Sequence, residues 1–389
     1  MYTIYALTTL ISIFAVGNII AEKTKAMIST VFVCVIFLLI GFWIGLPANI
    51  MGYSFLQPLG IPLAGMLVIS VGSNMDLTIL RKQWQTVVIA VLGALFGVAT
   101  IMLVGQLFLG RYMAFVAGPI FAGTQVATLM LSEAVNANGM PYLVPFILLI
   151  FVSDNLLGIP LTSFILRKEA RLFLKDKEKI SKYAKATAEI STVRKRLFNM
   201  PEALKTPTGV FARIALGASL SFWLASLTNG RVHFLVMCLF IGVLLGELGF
   251  LERQALQKSK SESFIMLVVT MFIFGGLADT SPSMILGFMF PLLVTLATGF
   301  LGVLVSAFFI SKCLKVSPWM GMAMAASCSY GMPATILIPT EVSDAVGQTE
   351  EEVTALKNYM VPNMVTAGFA SVTLASVFIA QIAVSLIFG

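Results

Sequence analysis

The sequence predicts an all-α protein that crosses a membrane many times. The chain has 389 residues, of which 58% are hydrophobic and only 11% are charged; soluble domains carry about 25% charged residues. Apolar runs of about 20 residues recur along it, and each is long enough to span a bilayer as a helix. A membrane β-barrel needs short alternating segments instead, so helices are the predicted spanning elements.

Two sets of apolar segments flank one polar stretch. The first six segments lie at about 2–21, 27–47, 55–75, 85–109, 113–134 and 141–166. The other six lie at about 207–228, 232–250, 263–278, 283–310, 318–340 and 359–388. This order predicts a first transmembrane repeat (1–166), a linker (167–206) and a second repeat (207–389). The first segment has no basic lead and no clear cleavage site, so we interpret it as a span rather than a signal peptide.

Three motifs recur in the same order in the two halves. They are IGFWIG at 40–45 with IGVLLG at 241–246, VGSNMD at 71–76 with FGGLAD at 274–279, and GTQVATLMLSEAVNANG at 123–139 with GMPATILIPTEVSDAVG at 331–347. Such a duplication is typical of secondary transporters, whose two halves are often related by an inverted topology.

Basic residues in the short loops decide the predicted topology. If all twelve segments crossed the membrane, Lys and Arg would lie on both faces, against the positive-inside rule. If the fifth segment of each half enters and returns on the same side, only Arg111 and Arg231 remain outside. We therefore predict two inverted repeats of five spans plus one re-entrant segment each, with both termini outside. A broken crossing helix is the alternative for each fifth segment.

The linker is strongly basic, with twelve Lys and Arg against five Asp and Glu. We predict a cytoplasmic linker with a helix that lies near anionic lipid head groups; a site for a specific partner is the alternative. Nucleic-acid binding is not predicted, because these charges belong to a membrane loop. The predicted location is the plasma (inner) membrane.

The two fifth segments contain the predicted substrate site. Their Gly and Pro residues permit a turn that frees backbone N–H and C=O groups for an ion or a substrate. The alternative role for their Ser and Thr hydroxyls is to bond a carbonyl of a helix. The predicted substrate-binding residues are Gly123, Thr124, Gln125 and Thr128 in the first segment and Ser329, Tyr330, Gly331, Pro333 and Thr335 in the second. Glu133 and Glu341 lie about 15 Å further along each helix, so we interpret them as exit or capping residues.

Asp154 is the predicted coupling residue. It lies near the middle of a span whose core has no Lys or Arg, and a carboxylate there costs several kcal/mol unless it is paired, hydrated or protonated. We predict that it binds Na+ or carries a proton; a protonated Asp that joins two helices is the alternative. The other predicted ion- or proton-coupling residues are Ser153, Asn155, Ser327, Asn363 and Thr366.

Four stretches of the chain resemble the glutamate:sodium symporter family, which belongs to the inverted-repeat cation/proton antiporter–anion transporter group. They are GTQVAT and YGMPAT, which resemble the two Gly-rich re-entrant motifs of the family, and GIPLTSFILRK (158–168) and YMVPNMVTAGF (359–369). The resemblance implies Na+-driven uptake of an amino acid or carboxylate by a homodimer. In this sequence the two Gly-rich motifs contain bulkier side chains than the family motifs, and no membrane-centre Arg is evident to hold a carboxylate.

These observations predict an ion-coupled secondary transporter, with Na+ or H+ as the coupling ion, for a small organic anion or amino acid. A cation/proton antiporter that uses Asp154 is the alternative within transport, and a channel is a further one. An enzyme is not predicted, since His233 is the only histidine and the four cysteines show no paired spacing; metal clusters and Ser-His-Asp triads lack their residues. The predicted partners are the substrate, the coupling cation, the lipid bilayer and a second copy of the chain, and no cofactor is predicted.

Overall fold

The structure is a computed structural model that describes residues 2–24, 29–123, 125–185, 201–228, 232–331 and 334–388. Over these residues the chain is helical and forms no strand. We label its main helices α1 (Tyr2–Lys23), α2 (Thr30–Trp43), α3 (Gly60–Ser73), α4 (Trp84–Leu109), α5 (Arg111–Phe121), α6 (Gln125–Ala137), α7 (Val144–Phe173), α8 (Lys177–Lys185), α9 (Pro207–Leu227), α10 (Phe234–Leu248), α11 (Glu262–Phe274), α12 (Pro282–Cys313), α13 (Pro318–Ala326), α14 (Ala334–Val346) and α15 (Glu350–Phe388).

Six helices of the described chain are long and apolar enough to cross a membrane. They are α1, α4, α9, α12, α15 and the helix that includes α7. Four shorter apolar helices contain α2, α3, α10 and α11. The prediction of an all-α membrane protein is therefore confirmed. In contrast, each fifth segment is split into two helices of at most 13 residues, α5 with α6 and α13 with α14.

Polar caps begin several of these apolar helices. The Thr206 hydroxyl accepts a hydrogen bond from the Gly209 N–H at 3.2 Å before α9, and Ser281 accepts one from the Met284 N–H at 3.2 Å before α12. In both helices a proline follows the cap at the first helical position, where its missing N–H leaves no bond unmade. The caps fix where the chain enters each apolar helix.

Small residues let helices of the two halves approach closely. On α10, a Cβ added to Gly242 would lie 2.4 Å from the Ile69 carbonyl oxygen of α3. On α12, a Cβ added to Gly302 would lie 2.0 Å from the Thr100 hydroxyl of α4, which itself donates to the Thr298 carbonyl at 3.1 Å. Close backbone approach at small residues is the usual basis of helix packing in membranes. The two helix pairs join the first half of the chain to the second.

Two groups of contacts mark opposite ends of the helix bundle. At one end, Glu169 of α7 accepts a hydrogen bond from the Tyr359 hydroxyl of α15 at 2.9 Å. At the other end, Gln381 of α15 accepts one from the His233 N–H at 2.8 Å. Tyr359 and Gln381 are 22 residues apart on α15, which is about 33 Å along a helix and close to the thickness of a bilayer core. We call these the linker end and the opposite end.

Candidate functional site

Helix α7 packs against the helices of both fifth segments. It packs against α5 and α6, which we call the first split segment, and against α13 and α14, the second split segment. From Val144 to Val152 nearly every side chain of α7 is buried, whereas beyond Asp154 only one stripe is buried. This stripe contains Asp154, Gly158 and Thr162, which lie at intervals of four residues and therefore on one face of the helix.

The first arm of the second split segment runs from the linker end to the interior. Ser317, directly before α13, donates a hydrogen bond to the Glu169 carboxylate. At the other end of the arm, Ser329 packs against Gly158, where an added Cβ would lie 2.1 Å from the Ser329 hydroxyl oxygen. Gly158 and Glu169 are 11 residues apart on α7, which is about 16 Å. The break in this segment therefore lies in the interior of the helix bundle, where Ser327, Cys328 and Ser329 are buried.

The second arm returns to the linker end. Thr335, near the start of α14, packs against Gly368 of α15, where an added Cβ would lie 2.6 Å from the Thr335 methyl carbon. Near the end of the arm, Asp344 forms an ion pair with Lys357 of α15 at 2.7 Å. Gly368 and Lys357 are again 11 residues apart. Both arms thus have their outer ends at the linker end and their inner ends at the same depth.

The first arm of the first split segment starts at the opposite end. Gln85, near the start of α4, donates to the Leu314 carbonyl at 3.2 Å, three residues before Ser317, so α4 starts at the linker end and finishes at the opposite end. Helix α5 begins two residues after α4. Its last residue, Phe121, contacts Phe300 in the middle of α12 at a ring-centroid distance of 5.0 Å. This arm therefore also runs inward, from the other side.

The second arm of that segment returns to the opposite end. Gln125 at the start of α6 donates to the Thr270 hydroxyl of α11 at 3.3 Å. Glu133, further along α6, lies 3.4 Å from the His233 imidazole nitrogen. Glu133 is therefore at the outer end of its arm, as the spacing from Gly123 predicts, and His233 joins that arm to the start of α10.

Asp154 lies in the interior without a hydrogen-bond partner. Its side chain is 1% exposed, and neither carboxylate oxygen is bonded to any group in the described chain. It precedes Gly158 by one helical turn, and it lies close enough to the Cys328 thiol to act on it electrostatically. Cys328 belongs to the turn Ser327–Ser329 that separates α13 from α14. The carboxylate thus faces the break in the second split segment.

Thr162 and Tyr330 extend this polar cluster by one more turn of α7. Both side chains are buried, and the Tyr330 hydroxyl lies opposite the Thr162 hydroxyl, close enough to interact but without hydrogen-bond geometry. Buried polar atoms are nearly always satisfied in folded proteins, so several unsatisfied oxygens in one place mark a candidate binding position. Carboxylate and hydroxyl oxygens together can hold a small cation, and the carboxylate alone can take up a proton.

Several other predicted site residues bond to their own helices instead. Ser327 donates to the Met324 carbonyl at 2.6 Å and Ser329 to the Ala326 carbonyl at 2.9 Å. Asn155 donates to the Phe151 carbonyl at 2.9 Å, and its neighbour Ser153 is only half-buried. These hydroxyl and amide groups follow the structural alternative, in which a polar side chain bonds a nearby carbonyl.

Asn363 connects two helices through hydrogen bonds. It donates to the Tyr359 carbonyl at 2.8 Å and accepts from the Thr86 hydroxyl at 2.9 Å, which joins α15 to α4. Thr366 is buried one turn closer to the interior.

The predicted substrate residues divide between the two breaks. Thr128 and Thr335 are fully buried, and their hydroxyls have no partner within the described chain. A Cβ on Gly123 would lie 2.5 Å from the Pro119 carbonyl, so the turn there needs glycine. Gly331 is half-buried after the second break. Thr124 and Pro333 lie outside the described residues.

Two π-helical turns were not anticipated from the sequence. They lie within α4 (Ile101–Gly105) and within α15 (Phe369–Ala375). The first packs against α5, and the second packs against the break Ser327–Ser329. Such turns are frequent at functional sites, because they loosen the regular hydrogen bonding of a helix. Thr162 was missed as well, although its spacing of eight residues from Asp154 places both on one face.

One cavity lies away from this cluster. It measures about 550 Å³ and occupies a groove between α4 and α12, lined by side chains such as Phe96, Leu301 and Phe309. Nearly all of its lining is apolar, as expected of a surface that faces lipid. The described chain holds no group of three or more His, Cys, Asp or Glu that would suit a metal ion.

No protein-family model matches the sequence, and a search of curated proteins finds no significant match. The class of the protein therefore rests on its fold and composition. The chain is an α-helical membrane protein.

Proposed function

We propose that this chain is an ion-coupled secondary transporter. The observation that carries the proposal is Asp154, a buried and unpaired carboxylate on α7, the helix that packs against both split segments. A charge at this depth is costly, and it is found in membrane proteins mainly where ions or protons pass. The resemblance to the glutamate:sodium symporter family points to the same class.

The proposed architecture is a pair of inverted repeats, each with five spans and one re-entrant segment. It is supported by the contacts of Ser317 and Asp344 at the linker end and of Glu133 at the opposite end. One segment thus enters from each side, and the breaks of both lie in the interior, where irregular backbone is tolerated if protein covers it. The positive-inside rule makes the linker end cytoplasmic.

In the proposed mechanism, the coupling cation binds to Asp154 and to oxygens of the second break. Thr162, Tyr330 and the carbonyls of residues 327–329 supply further oxygens beside α7. Backbone N–H groups of the breaks, with Thr128 and Thr335, hold the small organic anion or amino acid, because a helix start favours negative charge. Cation binding lowers the cost of the buried carboxylate, so the loaded site closes more readily than a half-loaded one.

The test measures flux into proteoliposomes under imposed Na+ and pH gradients, first with a panel of amino acids and organic acids. We expect uptake to follow one of the two gradients and to be lost in Asp154→Asn, which keeps the size of the side chain. Asn155→Ala is the matched control and should keep coupled uptake, since the Asn155 amide bonds the Phe151 carbonyl of its own helix. Uptake that is independent of both gradients, or full coupling in Asp154→Asn, would reject the proposal.

A cation/proton antiporter is the second candidate, favoured by one observation. Arg213, a buried cation of the second half, donates to the Phe250 carbonyl at 2.7 Å and lies 3.6 Å from the Glu252 carboxylate, so it is engaged with these groups rather than with an organic anion. An antiporter would exchange Na+ for H+ across the membrane, with both ions binding at Asp154, and it would need no organic substrate. Measurement of that exchange in substrate-free vesicles with a pH-sensitive dye separates the two candidates.

We further propose that the protein works as a homodimer in the inner membrane.

A further inference from the structure

The linker contains a helix, α8, whose exposed side carries several lysines. Helix α8 follows α7 after a short turn in which Asp176 accepts a hydrogen bond from the Lys179 N–H at 3.2 Å. Lys175, Lys177 and Lys182 are exposed, and none forms an ion pair within the described chain. We call these residues, together with Lys179, the lysine face.

The other side of α8 packs onto the bundle. Its residues Ile180, Tyr183 and Ala184 pack against the hydrophobic core, and the Tyr183 carbonyl accepts a hydrogen bond from the Asn358 amide of α15 at 3.0 Å. The helix is therefore fixed to the linker end with its lysine face outward.

The depth of α8 matches the head-group layer of a bilayer. The Tyr183 ring contacts the rings of Phe173 and Tyr359, at centroid distances of 5.7 and 5.3 Å. Phe173 is 15 residues beyond Gly158 on α7, which is about 22 Å. If the break beside Gly158 marks the middle of the membrane, α8 lies where half of a bilayer about 40–45 Å thick ends. Unpaired lysines at that depth are complementary to anionic head groups.

The same aromatic cluster contacts Glu169, which binds the residue directly before the second split segment. The Tyr359 hydroxyl donates to Glu169, whose side chain is only 4% exposed. The other oxygen of that carboxylate accepts the hydrogen bond from Ser317, where the first arm begins. A shift of α8 would therefore reach the arm through Tyr183, Tyr359 and Glu169, three side chains in direct contact.

We propose that the lysine face of α8 binds anionic phospholipid head groups, and that this binding holds the second split segment closed at the linker end. The inference rests on the proposed function in one respect, namely that this segment moves during transport. Glu178 lies between Lys177 and Lys179 on α8 and reduces the positive charge of the lysine face. Glu350, Glu351 and Glu352 lie at the start of α15, at the same end, and confine the attraction for anionic lipid to α8.

The experiment measures how fast a polar maleimide labels Cys328, which is buried at the break. Cys34, Cys238 and Cys313 are replaced by Ala, and the protein is placed in vesicles of neutral phosphatidylcholine with or without about 30% phosphatidylglycerol. Since each lysine near an anionic surface contributes appreciably, we expect labelling to slow by about threefold to tenfold with the anionic lipid. The dependence should vanish in Lys177→Gln/Lys179→Gln/Lys182→Gln.

Two controls test the proposed route from α8 to the second split segment. Arg81→Gln/Lys82→Gln removes two exposed charges from the same end and should keep the lipid dependence. Tyr183→Ala should abolish it while Tyr183→Phe keeps it, because the ring rather than the hydroxyl makes the contact. Equal labelling in both lipid mixtures, or equal slowing by inorganic phosphate in neutral vesicles, would overturn the inference.

The outcomes also separate this inference from the proposed function. Labelling that responds to Na+ or pH but not to phosphatidylglycerol would overturn the lipid inference and leave the transport proposal standing. Labelling that slows with phosphatidylglycerol in a protein without gradient-driven flux would support the lipid inference and reject the transport proposal.

Discussion

Gly158 is the point at which α7 and the second break meet most closely, and replacing it tests the packing of the site. In Gly158→Ala, the added Cβ would lie 2.1 Å from the Ser329 hydroxyl oxygen and 3.1 Å from a ring carbon of Tyr330. Ordinary contacts begin near 3.4 Å, so the Ser329 hydroxyl has to move by more than 1 Å. Overpacking of this kind costs about 1–3 kcal/mol.

We expect Gly158→Ala to lower the resistance to heat and to speed labelling of Cys328, because the break is pushed away from α7. The assay heats purified protein in detergent and follows the fraction that stays monodisperse. The double variant Gly158→Ala/Ser329→Ala should recover at least half of the loss, since the remaining distance to the Ser329 Cβ is 3.2 Å and coupled neighbours are not additive.

Gly287→Ala on α12 is the matched control. It too is a helical glycine, but an added Cβ there would have no neighbour within 4 Å. It should be neutral or slightly stabilising, because Ala is the better helix former by about 1 kcal/mol. If Gly158→Ala behaves like this control, or if Ser329→Ala brings no recovery, the close contact is not what holds the break.

Three further predictions concern other parts of the molecule. Thr162→Val removes a buried hydroxyl at constant shape and should weaken the affinity for the coupling ion by about fivefold or more; Thr340→Val, whose hydroxyl bonds its own helix, should leave the ion titration unchanged. Glu169→Gln weakens the bonds from Ser317 and Tyr359 and should speed labelling of Cys328 severalfold, whereas unchanged labelling would contradict the anchoring role. Asp76→Ala removes a carboxylate that caps the turn of helix from Leu77 to Lys82 and pairs with Arg253. This substitution should lower the free energy of unfolding by at least about 2 kcal/mol. Asp279 is the corresponding residue of the second repeat and is exposed, so Asp279→Ala should change the free energy of unfolding by less than half as much.

The sequence alone was enough to predict an all-α membrane protein. Each predicted apolar segment from 2–21 to 359–388 contains helix in the structure, because a long apolar run in a bilayer has to satisfy its backbone within itself. The breaks in the fifth segments were also predictable, since the glycines at 123 and 331 permit backbone conformations that a regular helix does not use. Asp154 stood out for a similar reason, as a carboxylate inside an apolar span.

Only the tertiary structure decided which polar groups face Asp154. Ser327 and Ser329 are near it in the fold but bond their own helix, whereas the hydroxyls of Thr162 and Tyr330 face each other beside the break. A hydroxyl bonds either its own helix or a neighbour, and the choice depends on the rotamer that the surrounding side chains allow. No single residue type in the sequence encodes that choice.

The positions of the split segments within the helix bundle also came from contacts between distant residues. Ser317 and Asp344 reach Glu169 and Lys357 at one end, and Glu133 reaches His233 at the other. Local propensity fixes where a helix begins and breaks. The end of the bundle at which the following helix finishes depends on packing against helices far away in the chain, and here α7 and α15 provide that packing.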